Sequence, residues 1–392
     1  MSYAPEDTIV DRAVEIRRDL HMHPELGYEE HRTHDLIVAE LRRLGIEHRS
    51  GLAGGTGVLA WLPGRDTESA IALRADIDAL PIEEETDVAW RSTHPGRMHA
   101  CGHDGHTAIL LGTAANLAAR ADTLERSVLL VFQPAEEGLA GGKRMVEDGV
   151  LDGSVAPMPA ARIYGLHGWP GVPEHVVGSR VGPLLAASDR FEIDVVGTGC
   201  HAAFPHHGAD PVAAAAAITT ALSTIVARNC DPLDAAVVST TIIQAGTGYN
   251  VIPNTARIGG TARSLVPEVR DLLERRIEEV AAGVATAHGC RATTRYERGY
   301  PVTVNHEEPT SRFREIAIET LGESLVQDVE RPFMGGEDFA YYGQRIPACF
   351  YILGQQSPDG PEMPPLHAAT YDFNDRTIPT GITLMSRLSQ EG

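Results

Sequence analysis

Cysteine is scarce in this sequence: Cys101, Cys200, Cys230, Cys290 and Cys349 are the five in 392 residues. An odd number so widely spaced argues against a disulfide framework and fits a reducing compartment. Cationic side chains are also few, 33 Lys and Arg against 54 Asp and Glu, for a formal charge of -21. A phosphate backbone is repelled over most of such a surface, so nucleic acid is not an expected partner. Long apolar runs are missing too. The Ala-rich run from Pro211 to Ala227 is interrupted by Thr219, Thr220, Ser223 and Thr224, so it reads as a helix and not as a membrane span. The opening segment MSYAPEDTIVDRAVEI has neither the basic nor the apolar region of a secretory signal. Cytoplasmic residence, away from any membrane, is therefore expected. No repeat or low-complexity tract appears.

What is present is an ordinary globular composition, 43% hydrophobic and 22% charged. The length predicts two or three domains and a cleft between them. Helical spacing over Ile9 to His21 and over HRTHDLIVAELRRLG precedes the apolar runs GVLAWL, SAIALRAD and RSVLLVFQ. With TAILLGTAANLAARA between the last two, strands and helices alternate as in an α/β sheet. From residue 187 FEIDVVGTG alternates apolar with polar, and the order β, α, β, β, α, β follows to residue 300, which is that of a split β-α-β insert. The expected architecture is a discontinuous α/β catalytic domain with a mixed sheet, residues 1–186 and 301–392, interrupted by a smaller α+β, ferredoxin-like lid or dimerisation domain at 187–300.

Chemistry concentrates in four loops. HACGHDGH sets Cys101 and His103 one glycine apart, flanked by His99 and His106. A thiolate and an imidazole so close suit a borderline-soft cation such as zinc, cobalt, nickel or manganese. Capping and packing, or a nucleophilic Cys101 activated by its histidine neighbour, are the other readings. VLLVFQPAEEG runs a buried-looking strand into Glu136 and Glu137, at the end where open α/β sheets bind ligands. One carboxylate there can hold a metal while the other moves protons; for a Glu-Glu pair met alone, a solvated acidic turn is the better reading. His167 in YGLHGWP and His367 in PPLHAATYDFND would each pass for loop histidines if met alone.

Taken in order, LHMHPELGYEE, ALRADIDALPIEEET, MHACGHDGHTAILLGTA, VFQPAEEG, YGLHGWP, HAAFPHHGADP, NVIPNTARIGGTAR, MGGEDFAYY and PPLHAATYDFND resemble the metal-dependent aminoacylase and carboxypeptidase family. The likeness is to its amidohydrolase branch of hippurate hydrolases, N-acyl-amino-acid amidohydrolases and auxin-conjugate hydrolases. The resemblance implies two divalent metal ions held by Cys101, His103, Glu137, His167 and His367, with His103 as the bridge. It implies Glu136 as the general base that activates water at that centre and later protonates the leaving amine. By the same likeness Asp76 orients a ligand, although an Asp capping the turn after a strand fits as well. His201 polarises the scissile carbonyl, often from the other subunit of a dimer, and Asn250 and Arg263 hold the substrate's carboxylate, Arg263 by a bidentate fork. His206, His207, Glu337 and Asp338 are expected to support the cleft and not to react.

The activity so implied is hydrolysis of N-acyl-L-amino acids to a carboxylate and a free amino acid, in a homodimer or higher homo-oligomer built through the insert. A dipeptidase on the same fold, a thiol hydrolase using Cys101 and a non-catalytic binding relative are the alternatives. One departure from the family pattern is Cys200, which stands where a glycine usually precedes the histidine; its side chain is expected to shift acyl-chain preference.

Overall fold

The runs VLLVF in the strand Arg126–Gln133 and AIALRA in Asp66–Asp76 are buried almost without alternation, as parallel strands covered on both faces must be. They lie side by side at the centre of an eight-stranded sheet. The computed structural model describes residues 3–390. In it the chain divides into two units, a larger one up to Leu184 with Val304–Arg331 and everything from Asp338, and a smaller one of Leu185–Thr303 with Pro332–Glu337.

In the larger unit the sheet runs Glu47–Leu52, Gly57–Leu62, Arg126–Gln133, Asp66–Asp76, Ala160–Pro173, Ala348–Gln356, Val177–Ser179, Val326–Asp328. Its middle is parallel and its first pairs are antiparallel, so it is a mixed sheet with helices packed on it. Register puts Asp76 beside Gln133, and Arg74 beside both Val131 and Gly165. The carboxyl ends of two neighbouring strands therefore deliver Asp76 and the segment after Gln133 to one rim, level with His167 midway along Ala160–Pro173, and such a rim is where ligands bind in open α/β sheets. The helix His103–Ala118 packs against this sheet with nearly every residue buried, so its first turn is fixed by packing on all sides.

The smaller unit is a four-stranded antiparallel sheet in the order Ala236–Ala245, Thr255–Ser264, Ala187–Val196, Arg291–Tyr300. The helices Pro211–Leu222 and Pro267–Ala287 lie on one face and close a separate apolar core around Phe191, Ile193, Ile218, Ile258 and Ile277. The expected single helix from Pro211 to Ala227 is corrected here, since it stops at Leu222 and a short helix restarts at Ile225. The hydroxyls of Thr220, Ser223 and Thr224 donate to the carbonyls of Ala216, Thr220 and Ala221, and such back-bonding competes with the helix's own ladder. No helix among the described residues is long and apolar enough to cross a membrane.

Candidate metal centre

Gly102 ends the loop before the helix His103–Ala118 with a φ of 87°, a left-handed conformation in which glycine alone avoids a penalty. A Cβ there would also meet Tyr371 Oη at 2.9 Å. This turn lets Cys101 and His103, two residues apart, face one point. Donor atoms of Cys101, His103 and His167 lie within 4.8 Å of one another, as do those of Cys101, Glu137 and His367, and those of His103, Glu136 and Glu137.

The imidazoles are oriented for ligation. His103 directs Nδ1 at the Asp78 carbonyl (3.0 Å) and Asp78 Oδ1 (3.2 Å). That leaves Nε2 buried without a hydrogen-bond partner, 4.0 Å from Glu137 Oε1. His167 donates from Nδ1 to the Gly168 carbonyl at 2.7 Å and turns Nε2 to Cys101 Sγ at 3.4 Å. His367 has a φ of 67° and donates its N–H to Ala100 O at 2.8 Å, which binds its loop to that of Cys101. Its Nε2 lies 3.3 Å from Glu137 Oε1. In each ring the second nitrogen, or the backbone, is tied down so that the first faces the common point, the arrangement by which outer groups orient metal ligands.

The electrostatics match. Burial works to push His103 down, but Asp76, Asp78 and Glu137 outweigh it and lift the imidazole to about 10. Those carboxylates hold a proton where they would otherwise hold a cation. Burial raises the Cys101 thiol well above its usual range, and Glu137, Glu136 and Asp76 raise it further. A thiolate forms there only beside a compensating cation, which disfavours a free nucleophilic cysteine. Thiolate, imidazole and carboxylate donors around one negative point, buried at Cys101, His103 and His167 and open at exposed His367, fit a pair of divalent cations.

Glu136 and Glu137 sit on an irregular loop between Ala135 and Ala140, both non-glycine residues with φ near 55–58°. Glu136 is buried and its Oε1 accepts the Asp338 N–H at 3.4 Å. The backbone N–H of Glu137 donates to Asp78 Oδ2 at 3.0 Å. Glu137 stays below the ordinary carboxylate range, because the His367 hydrogen bond and the field of His103 overcome the opposing burial.

Asp76 accepts from Arg74 at 2.7 Å and faces His106 Nδ1 at 2.6 Å, with His103 Nε2 3.7 Å away. Burial would raise its carboxyl, but His103, Arg74 and His106 hold it well below the usual range. His106 Nε2 accepts the Gly168 N–H at 2.8 Å, so its lone pair is occupied.

His201, Asn250 and Arg263 belong to the smaller unit. The two-stranded pairing of Cys200–His201 with Val251–Ile252 brings His201 beside Asn250, and the Ala202 N–H donates to Asn250 O at 2.9 Å. Exposed His201 accepts the Ala203 N–H on Nδ1 at 3.0 Å, leaving Nε2 as the N–H donor when neutral. Arg263 stands apart on Thr255–Ser264; burial lowers its guanidinium. Gly336 lies close by, and a Cβ on it would press on Ser188 Cβ at 2.8 Å while only touching Arg263 Nη1 at 3.4 Å. Cys200 is half-buried and shares its pocket with Gly208, whose added Cβ would meet its Sγ at 2.8 Å.

Sequence reading passed over Asp78, Arg74 and the structural weight of Asp338. Arg74, Asp76 and Asp78 recur at every second residue, the period that puts side chains on one face of a strand, and that was the available signal. Asp338, fully buried, accepts from Arg74 at 3.0 Å, from Gln133 at 2.8 Å and from the Gly142 N–H at 2.7 Å, ties that span 264, 205 and 196 residues of chain.

A model of peptidase family M20/M25/M40 matches residues 72–391. An N-acetyl-L-cysteine deacetylase of Bacillus subtilis is 42% identical, covering 88% of this chain and 81% of the relative. An IAA-amino acid hydrolase of Arabidopsis thaliana is 39% identical, covering 99% and 88%. Among solved structures, a Bacillus subtilis protein described as a dinuclear metal binding peptidase superposes with a TM-score of 0.83 at 36% identity, covering 98% of both chains.

Proposed function

This chain belongs to peptidase family M20/M25/M40 and is an amidohydrolase, and from that premise we propose that it cuts N-acyl-L-amino acids into a carboxylate and a free amino acid. The names of the deacetylase and of the amino acid hydrolase that it resembles support this substrate class. The observation that carries the reading is the overlap of three donor groups at one rim: Cys101, His103 and His167; Cys101, Glu137 and His367; His103, Glu136 and Glu137.

Cys101, His103, Glu137, His167 and His367 would hold two divalent cations, with zinc, manganese, nickel or cobalt all compatible with the donors; His103, its Nδ1 turned to Asp78, has one nitrogen to offer and would serve a single cation. Such a pair, when bound, polarises a carbonyl and makes a water acidic near neutral pH. Glu136, not needed as a ligand, takes the proton from the attacking water and passes it to the departing amine nitrogen as the C–N bond breaks. His201 offers its Nε2–H to the carbonyl oxygen as negative charge develops there, while Asn250 and Arg263 receive the α-carboxylate. Asp76 fixes His106 and with it the Gly168 backbone beside His167.

A homodimer through the smaller unit fits its uncharged edge strand Ala236–Ala245, on which Ile242 and Ile243 are about half exposed. Five free thiols suit the cytoplasm.

The test is Glu136→Gln. Turnover of an N-acetyl amino acid is expected to fall by about 10²–10⁴-fold, the usual weight of a general base, with cation content by elemental analysis unchanged. Near-normal turnover would overturn the role of Glu136. Comparing acetyl, benzoyl and aminoacyl derivatives of one amino acid separates amidase from dipeptidase action.

A further inference from the structure

Ala135 and Ala140 bracket the carboxylates Glu136 and Glu137, and both take left-handed backbone conformations that cost an alanine free energy and persist only where neighbours impose them. The segment that touches this loop comes from far away in the chain. Glu30, fully buried, accepts the Ala135 N–H on Oε1 at 2.8 Å. Its Oε2 accepts the hydroxyl of buried Thr56 at 2.8 Å. Two residues earlier Tyr28, itself at a φ of 65°, donates from Oη to the Leu139 carbonyl at 2.9 Å. Gly27 closes the contact, because a Cβ on it would lie 3.1 Å from Ala135 Cα and 2.9 Å from Leu139 Cδ1. Residues 27–30 thus grip both ends of the loop. Burying a carboxylate is costly unless its oxygens are satisfied, and here one oxygen is committed to the residue before Glu136.

We propose that Glu30 is a positioning residue: through the Ala135 N–H it holds the left-handed turn that aims Glu136 and Glu137, with Gly27 and Tyr28 as the rest of the clamp. The proposal rests on the reading of Glu136 as the group that moves the proton. Removing the acceptor frees the turn and lets Glu136 wander, whereas an amide in place of the carboxylate keeps the acceptor.

The experiment compares wild type, Glu30→Ala and Glu30→Gln as metal-loaded full-length enzyme, by amide hydrogen exchange and steady-state kinetics. In Glu30→Ala the peptide covering 134–141 is expected to exchange about tenfold faster, as local opening becomes easier. Its kcat should fall about 100-fold, the scale of a misplacement of about 1 Å, with KM within about threefold and cation content unchanged. Glu30→Gln should stay within about threefold of wild type in both readouts, since its carbonyl still accepts the N–H. Exchange is read without turnover, so a failure of the assigned activity leaves the clamp testable. Unchanged exchange in a folded Glu30→Ala protein overturns the proposal, as does fast exchange with undiminished kcat, or an equal loss in Ala and Gln variants. Should Glu30→Ala not fold, Gly27→Ala decides. Its methyl presses on Ala135 without touching a polar group, and kcat equal to wild type would overturn the proposal.

Discussion

The Gly168 N–H donates to His106 Nε2 at 2.8 Å, and Asp76 holds Nδ1 of the same ring at 2.6 Å. Both nitrogens of His106 are thereby used by the protein, although the residue lies three positions after His103 and equally deep. The Asp76–His106–Gly168 chain instead fixes the backbone that receives His167 Nδ1–H at 2.7 Å.

His106→Ala should therefore keep two cations per subunit by elemental analysis while losing about 2 kcal/mol of stability in urea unfolding, the scale of leaving a buried N–H unpaired. A protein that loses a cation on this substitution would make His106 a ligand.

A second buried network gives a pH prediction. His21, fully buried, faces Asp104 Oδ2 at 2.8 Å and Glu84 Oε1 at 3.3 Å, with Arg17 Nη2 at 3.4 Å. Burial and Arg17 push it down, but Asp104 and Glu84 raise it to about 9. A histidine raised in the folded state adds stability in full below its unfolded value near 6.5 and loses it as pH rises through about 9. The stability difference between wild type and His21→Gln, on the order of 3 kcal/mol at pH 6, should accordingly shrink to little by pH 9.5. A difference that stays flat over this range would mean that His21 is neutral throughout.

Much of this was legible in the sequence. The alternation of FEIDVVGTG marked a sheet with one covered face, and buried runs such as VLLVF marked central strands. Cys101 and His103 stood out because a thiolate and an imidazole one glycine apart suit a borderline-soft cation. His99, His103 and His106 share one motif, however, and only tertiary partners tell them apart: Asp78 orients His103, Gly168 occupies His106, and burial depresses His99 to about 4. Asp78, two residues after Asp76, went unnoticed for the same reason, since its hold on His103 is a tertiary contact. The return of Pro332–Glu337 to the smaller unit carries no periodic signal, and the hydroxyls that end the Ala-rich helix act through backbone bonds that composition does not specify.

Chelation of the enzyme should abolish turnover, and adding back a divalent cation should restore it. In cobalt-loaded protein the thiolate-to-metal charge-transfer band is expected, and Cys101→Ser should remove it and weaken at least one cation's binding, since an alcohol is a poor substitute for a soft thiolate. Persistence of the band in Cys101→Ser would place the thiolate ligand elsewhere.

Among the described residues the edge strand Ala236–Ala245 pairs on one side only, with Thr255–Ser264. Ten residues without a charge, bearing half-exposed Ile242 and Ile243, lack the lysines, prolines and short length by which solitary edges avoid pairing. A second copy offers the same strand, and antiparallel pairing about a twofold axis would satisfy both edges at once. Sedimentation at micromolar concentration should show a dimer for wild type and a monomer for Ile243→Lys, with circular dichroism unchanged, because a lysine ammonium on the joined strands would be desolvated beside its symmetry mate. Turnover should fall with dissociation, His201 being the residue assigned to reach the partner's site. A wild-type monomer with full activity would remove both the interface and that role for His201.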